Sequence, residues 1–107
     1  KKTNQILKRQ IEKGLKSIKN NSKIIIAYEP VWSIGTGVIP KEADLNKTIS
    51  FIKSRFVKKY PKILYGGSVN TNNTNKLKKI PIIDGFLIGG ASQNPKKFID
   101  IIKKTIN

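Results

Sequence analysis

Helical and strand-like patterns alternate along this chain from end to end, and that alternation limits the fold more than any other feature. Ile6/Leu7, Ile11, Leu15 and Ile18 recur at steps of about four, with Lys and Gln between them. They predict an amphipathic first helix with Gly14 inside it and a break at Asn20-Asn21-Ser22. Ile24-Ile25-Ile26-Ala27-Tyr28 is a continuous, mostly β-branched run of the kind found in strands buried on both faces. Glu29-Pro30 ends it, because Pro30 has no N–H for a ladder. After a loop over 31–41, Leu45, Ile49, Ile52 and Phe56 predict a second helix with Asp44 near its positive N-terminal end. Residues 62–65 read as a second strand, 74–79 as a brief helix, and Phe86-Leu87-Ile88 as a third strand. Asn94-Pro95 reads as the N-cap and first position of a last helix with Phe98, Ile101/Ile102 and Ile106 on one face. The order α-β-α-β-α-β-α means three parallel strands joined by helical crossovers, an α/β class chain. No linker or repeat divides residues 1–107, so one domain is expected.

Composition narrows the chemistry. With no Cys there is no disulfide framework or thiolate metal site, and with no His there is no imidazole base, Ser-His-Asp triad or His-ligated metal. The formal charge is +16, from 22 basic against 6 acidic residues, and every basic residue except Arg9 and Arg55 is Lys. These lysines recur through every predicted helix, Lys58 and Lys59 included, rather than in one stretch. They read as a solvated surface, and nucleic acid is not expected as a partner, since base and phosphate recognition favours Arg. No apolar run approaches the roughly 18 residues needed to span a bilayer. Lys1-Lys2-Thr3-Asn4-Gln5 has no apolar stretch behind it, so no signal peptide and a cytoplasmic setting are expected.

Parallel sheets place ligand chemistry at the C-terminal ends of their strands, and each strand here ends in a Gly- or Pro-bearing loop. Glu29 closes the first strand; a carboxylate there either projects into a pocket as a base or is an ordinary solvated loop residue. The loop behind it has a stiff start, Pro30 and Trp32, and a Gly-rich tip, which suits a hinged lid. Gly35-Thr36-Gly37 fails as a dinucleotide fingerprint, because position 40 is Pro and no helix opens at the second Gly. Gly66-Gly67-Ser68 and Gly89-Gly90-Ala91-Ser92 either permit tight turns or present backbone N–H groups to a phosphate, with Ser68 adding a hydroxyl.

Residues 27–37, AYEPVWSIGTG, resemble the catalytic strand and lid of triosephosphate isomerases. Residues 65–69, YGGSV, and 84–92, DGFLIGGAS, resemble that family's last two phosphate loops. The resemblance implies the C-terminal part of an eight-stranded (β/α) barrel, the fold named after this family, with strands six to eight present. It implies interconversion of dihydroxyacetone phosphate and glyceraldehyde 3-phosphate through an enediolate, with no cofactor and no metal. Glu29 would be the base. The backbone N–H groups of Gly35, Ser68 and Gly90, helped by Gly89, would hold the phosphate. Segment 30–40, with Pro30, Val31, Trp32, Ile34, Thr36 and Gly37, would be the lid, a well-known property of the family. Ile34 and Leu87 would close over Glu29, and Tyr65 and Ser68 would latch the lid. Pro40 departs from the pattern, since it offers no N–H for a Tyr65 hydroxyl bond. The family also needs an Asn, a Lys, a His and a second Glu that no residue here matches. A complementary N-terminal barrel portion is therefore the expected partner, within an assembly that is usually a homodimer. A chain without that portion is expected to be inactive alone, and the alternatives are a decayed remnant or a basic phosphate- or nucleic-acid-binding module.

Overall fold

The computed structural model describes residues 2–19, 23–56 and 61–106. The expected helix break at Asn20–Ser22, and Lys1, Lys58 and Lys59, lie outside them.

Strand β1 is Ile25–Tyr28, β2 is Lys62–Tyr65 and β3 is Gly85–Phe86. They form one parallel sheet in the order β1-β2-β3. The register places Ile26 beside Ile63, and Tyr28 beside Tyr65 and Phe86. Side chains alternate across a strand, so these five share one face. That face carries the core: Ile63 and Tyr65 are fully buried with Leu45, Ile49 and Ile52 of α2 (Glu42–Ser54), Leu77 of α3 (Thr74–Leu77) and Ile101 of α4 (Pro95–Ile106).

The opposite face is open. Ile25 is 66% exposed, and Ala27 and Lys62 are exposed too. The expectation of a first strand buried on both faces is therefore corrected: the described helices cover only one side. The third strand is shorter and one residue earlier than expected. Its backbone bonds run from the Asp84 N–H to the Ile63 carbonyl (2.9 Å) through the Leu87 N–H to the Tyr65 carbonyl (3.0 Å). The paired register ends at Tyr65 and Phe86, so beyond the Leu87 N–H bond Ile88 has no ladder to join. Asp84 also receives the Ile63 N–H at 2.8 Å and pairs with Lys53 at 3.6 Å, which fixes this edge.

The helices follow local rules. Glu42 and Asp44 lie in the first turn of α2, where the helix dipole favours negative charge. The Asn94 Oδ1 accepts the Lys97 N–H at 3.1 Å, so Asn94 does cap α4 with Pro95 at its first position. On α4 only Ile101 is buried, whereas Ile102 and Ile106 are exposed, so the expected apolar face is half covered. Helix α1 (Lys2–Gly14) stops at Gly14 instead of running on to Ile18. Glycine is a poor helix former, and α1 buries no residue that could offset it.

Candidate functional site

All three strands point their C-terminal ends the same way, so the loops after β1, β2 and β3 meet. The loop after β1 leaves through buried Pro30, makes one 3-10 turn at Val31–Ser33, and bends at Gly35 and Gly37. Their φ angles of 71° and 78° are the only positive ones among the described residues, in a region where a Cβ is disfavoured. Thr36 braces the bend: its hydroxyl donates to the Ser33 carbonyl (2.9 Å) and accepts the Val38 N–H (3.0 Å).

The loop after β2 is held by its asparagines. Asn70 Oδ1 accepts the N–H groups of Asn72 and Asn73 at 2.8 and 3.0 Å, and Asn73 Oδ1 accepts the Asn70 N–H at 2.9 Å. The Asn73 amide then donates to the Ser68 carbonyl at 2.9 Å. The loop after β3 turns through Gly89 into a 3-10 turn, Gly90–Gln93, tied by the Ser92 hydroxyl to the Gly89 carbonyl at 2.6 Å.

Together these loops enclose a cavity of about 630 Å³ lined by Ile34, Gly35, Gly37, Gly66, Gly67, Ser68, Gly89 and Gly90. Among the described residues, the N–H groups of Gly35, Gly89 and Gly90 form no hydrogen bond. Unengaged backbone donors around one concavity are what an anion needs. Ser68 contributes differently from expectation. Its N–H is committed to Ser33 Oγ (3.1 Å) and its Oγ accepts the Gly37 N–H (2.9 Å), so the donor left to offer is the hydroxyl proton.

Glu29 directly follows β1 and lies against Gly66, one of the residues that line this cavity. A Cβ built on Gly66 would fall 2.7 Å from Glu29 Cγ, so the carboxylate arm lies against a backbone that only glycine leaves clear. Glu29 lines a different cavity, of about 430 Å³, with Leu7, Gln10, Ile11 and Ala27. The expected closure of Ile34 and Leu87 over Glu29 is not present: all three are exposed, Ile34 at 49% and Leu87 at 44%. Leu87 follows core-facing Phe86 and so falls on the open face of the sheet. Val31 and Trp32 are exposed as well, and Trp32 lines a third hollow beside Tyr28, Ile39 and Pro40.

Tyr65 is fully buried, and its hydroxyl lies 3.0 Å from Ser33 Oγ. Burial raises its pKa above the ordinary value near 10, with the Ser33 bond partly opposing. Tyr28 is also raised, chiefly by burial, with the Thr48 bond lowering it and the Asp44 charge adding to the rise. Sequence reasoning assigned Ser33 no role. Its only signal was position, a small polar residue between Trp32 and Ile34 in the loop after β1. Among the described residues no three of His, Cys, Asp and Glu cluster as a metal-binding set, and no helix is long and apolar enough to cross a membrane.

Comparison with known proteins places the chain in a family. A family model described as triosephosphate isomerase matches residues 1–105. Triosephosphate isomerase of Mycoplasma mobile is 48% identical over 102 residues, which is 95% of this chain and 42% of the relative. That of Thermodesulfovibrio yellowstonii is 43% identical over 95% of this chain and 44% of the relative. That of Dictyostelium discoideum is 51% identical over 79% of this chain and 36% of the relative. The chain thus spans less than half the length of these curated relatives.

Proposed function

The chain belongs to the triosephosphate isomerase family, and we propose that it supplies the base, lid and phosphate cradle of an isomerase for dihydroxyacetone phosphate and glyceraldehyde 3-phosphate. The observation that carries this reading is the cavity in which unengaged N–H groups of Gly35, Gly89 and Gly90 meet the Ser68 hydroxyl, with Gly66, two residues before Ser68, lining the same cavity and lying against Glu29.

Glu29 takes a proton from the hydroxyl-bearing carbon next to the substrate carbonyl and returns it to the carbonyl carbon, while the hydroxyl proton passes to the carbonyl oxygen, so the carbonyl and hydroxyl exchange places. A positioned base of this kind contributes on the order of 10²–10⁴ in rate. The cradle holds the phosphate and so fixes the reacting carbons relative to the carboxylate. Segment 30–40 closes over the enediolate and keeps it from losing phosphate. Groups that polarise the carbonyl come from a complementary N-terminal barrel portion, because this chain has no His and no residue matching the family's remaining site. Losing such stabilising donors costs on the order of 10²–10³ each.

The test is isomerisation by this chain alone and after mixing with the N-terminal portion of the Mycoplasma mobile relative. Activity appearing only in the mixture, and absent with Glu29→Gln, is expected. Inactivity in both would favour a remnant or phosphate-binding role, and activity of the chain alone would overturn the assignment of the missing donors.

A further inference from the structure

Ser33 is fully buried, and its hydroxyl has no capacity left. A serine hydroxyl carries one proton to donate and two lone pairs to accept with. The proton goes to the Val38 carbonyl, five residues on in the same loop, at 2.5 Å. One lone pair accepts the Ser68 N–H at 3.1 Å. The 3.0 Å contact with Tyr65 must then run from the tyrosine hydroxyl to Ser33, because the serine proton is already committed. One oxygen thereby joins the start of segment 30–40, its far arm, the end of β2 and the loop after it.

Two further features fit this junction. Pro40 has no N–H to offer a hydroxyl, so the buried Tyr65 hydroxyl finds its partner in a side chain. Gly67 leaves room for it: a Cβ there would lie 2.5 Å from Tyr65 Cζ and 2.8 Å from Ser33 Oγ.

We propose that Ser33 is a positioning residue, whose hydroxyl locks segment 30–40 to the loop after β2 so that Gly37 meets Ser68 and Gly35 stays on the wall of the phosphate cavity. The Gly37 N–H bonds Ser68 Oγ, not Ser33, so Ser33 acts on it through Ser68. The inference rests on reading segment 30–40 as the isomerase lid.

The experiment labels this chain with ¹⁵N, pairs it with the N-terminal portion of the Mycoplasma mobile relative, and follows amide hydrogen exchange in Ser33→Ala. Gly37 protection is expected to fall about tenfold, the scale of one lost hydrogen bond. The Gly66 and Leu87 amides, bonded to the Tyr28 and Tyr65 carbonyls, should keep theirs. In the active pair the share of turnovers that release inorganic phosphate should rise, as a poorly held lid exposes the enediolate. Unchanged Gly37 protection, or an unchanged phosphate share, overturns the proposal. If Ser33→Ala also loses the Gly66 and Leu87 protection, Tyr65→Phe decides by the same Gly37 amide. If the pair has no isomerase activity, the functional reading fails, and Gly37 exchange still decides the role of Ser33.

Discussion

Gly66 and Gly67 are neighbours, yet adding one methyl to each should have opposite consequences. At Gly67 the new carbon would collide with the Tyr65 ring and hydroxyl and with Ser33 Oγ, all belonging to fully buried residues. Neither side chain has anywhere to go. Overpacking costs about 1–3 kcal/mol, and a displaced buried hydroxyl bond about 1–3 more. Against this, Gly→Ala stabilises by about 0.4–1 kcal/mol through the unfolded chain. The net is a loss of about 3 kcal/mol, or roughly 150-fold in the folding equilibrium. At Gly66 the carbon would meet only the Glu29 arm, 2.7 Å from Cγ, and Glu29 is exposed and free to rotate away. Stability should then stay within about 0.5 kcal/mol of the parent, while the moved carboxylate lowers isomerisation by about tenfold or more, since small misplacements of a reacting group are costly. Urea denaturation followed by circular dichroism, and isomerase assays of the paired chain, measure both. A Gly67→Ala protein as stable as the parent would refute the argument that Tyr65 and Ser33 are immovable. A Gly66→Ala protein as unstable as Gly67→Ala would refute the argument that Glu29 yields.

Glu29→Gln should remove isomerisation by on the order of 10²–10⁴ with an unchanged urea midpoint, because the side chain is exposed and only its basicity is lost. Tyr65→Phe should reduce activity less than Ser68→Ala, since Ser33 keeps two of its three partners in the first, while the second removes both the Gly37 bond and the free hydroxyl proton; paired kinetics of the two variants test the order. Asp84→Ala should cost about 1–3 kcal/mol in denaturation experiments, because it strips the Ile63 N–H of its acceptor at the sheet edge. Burial favours the neutral forms of Tyr28 and Tyr65 and raises both folded pKa values, so the stability they contribute is complete below about pH 10 and is lost as pH climbs through the raised values. Tyr65→Phe should flatten that alkaline decline in a pH series of urea midpoints, and an unaltered slope would contradict the assignment.

Much of the fold was legible because its signals are local. Leu45, Ile49 and Ile52 lie one helical turn apart, and all three are buried on α2. Asn94-Pro95 announced the start of α4, and the Asn94 cap is made between neighbours in sequence. Errors arose where local pattern met packing. Leu15 and Ile18 continue the apolar spacing of α1, but among the described residues no element buries that helix strongly enough to carry it past Gly14. Leu87 and Ile88 have strand-like side chains, yet the β2–β3 register ends at Tyr65 and Phe86, with only the Leu87 N–H still bonded to β2.

The order of elements and the placing of a carboxylate and three glycine loops at strand ends were fixed by the chain itself, since periodicity and turn chemistry act over a few residues. Tertiary structure alone decided which sheet face is covered, that Glu29 remains open, and that the Ser68 N–H serves Ser33. It also decided that the Tyr65 hydroxyl and the Ser68 N–H share the Ser33 oxygen, with bonds that join residues 32 and 35 positions apart. Such partners are set by the register between β1 and β2 and by the turns that follow, and no window of sequence contains both.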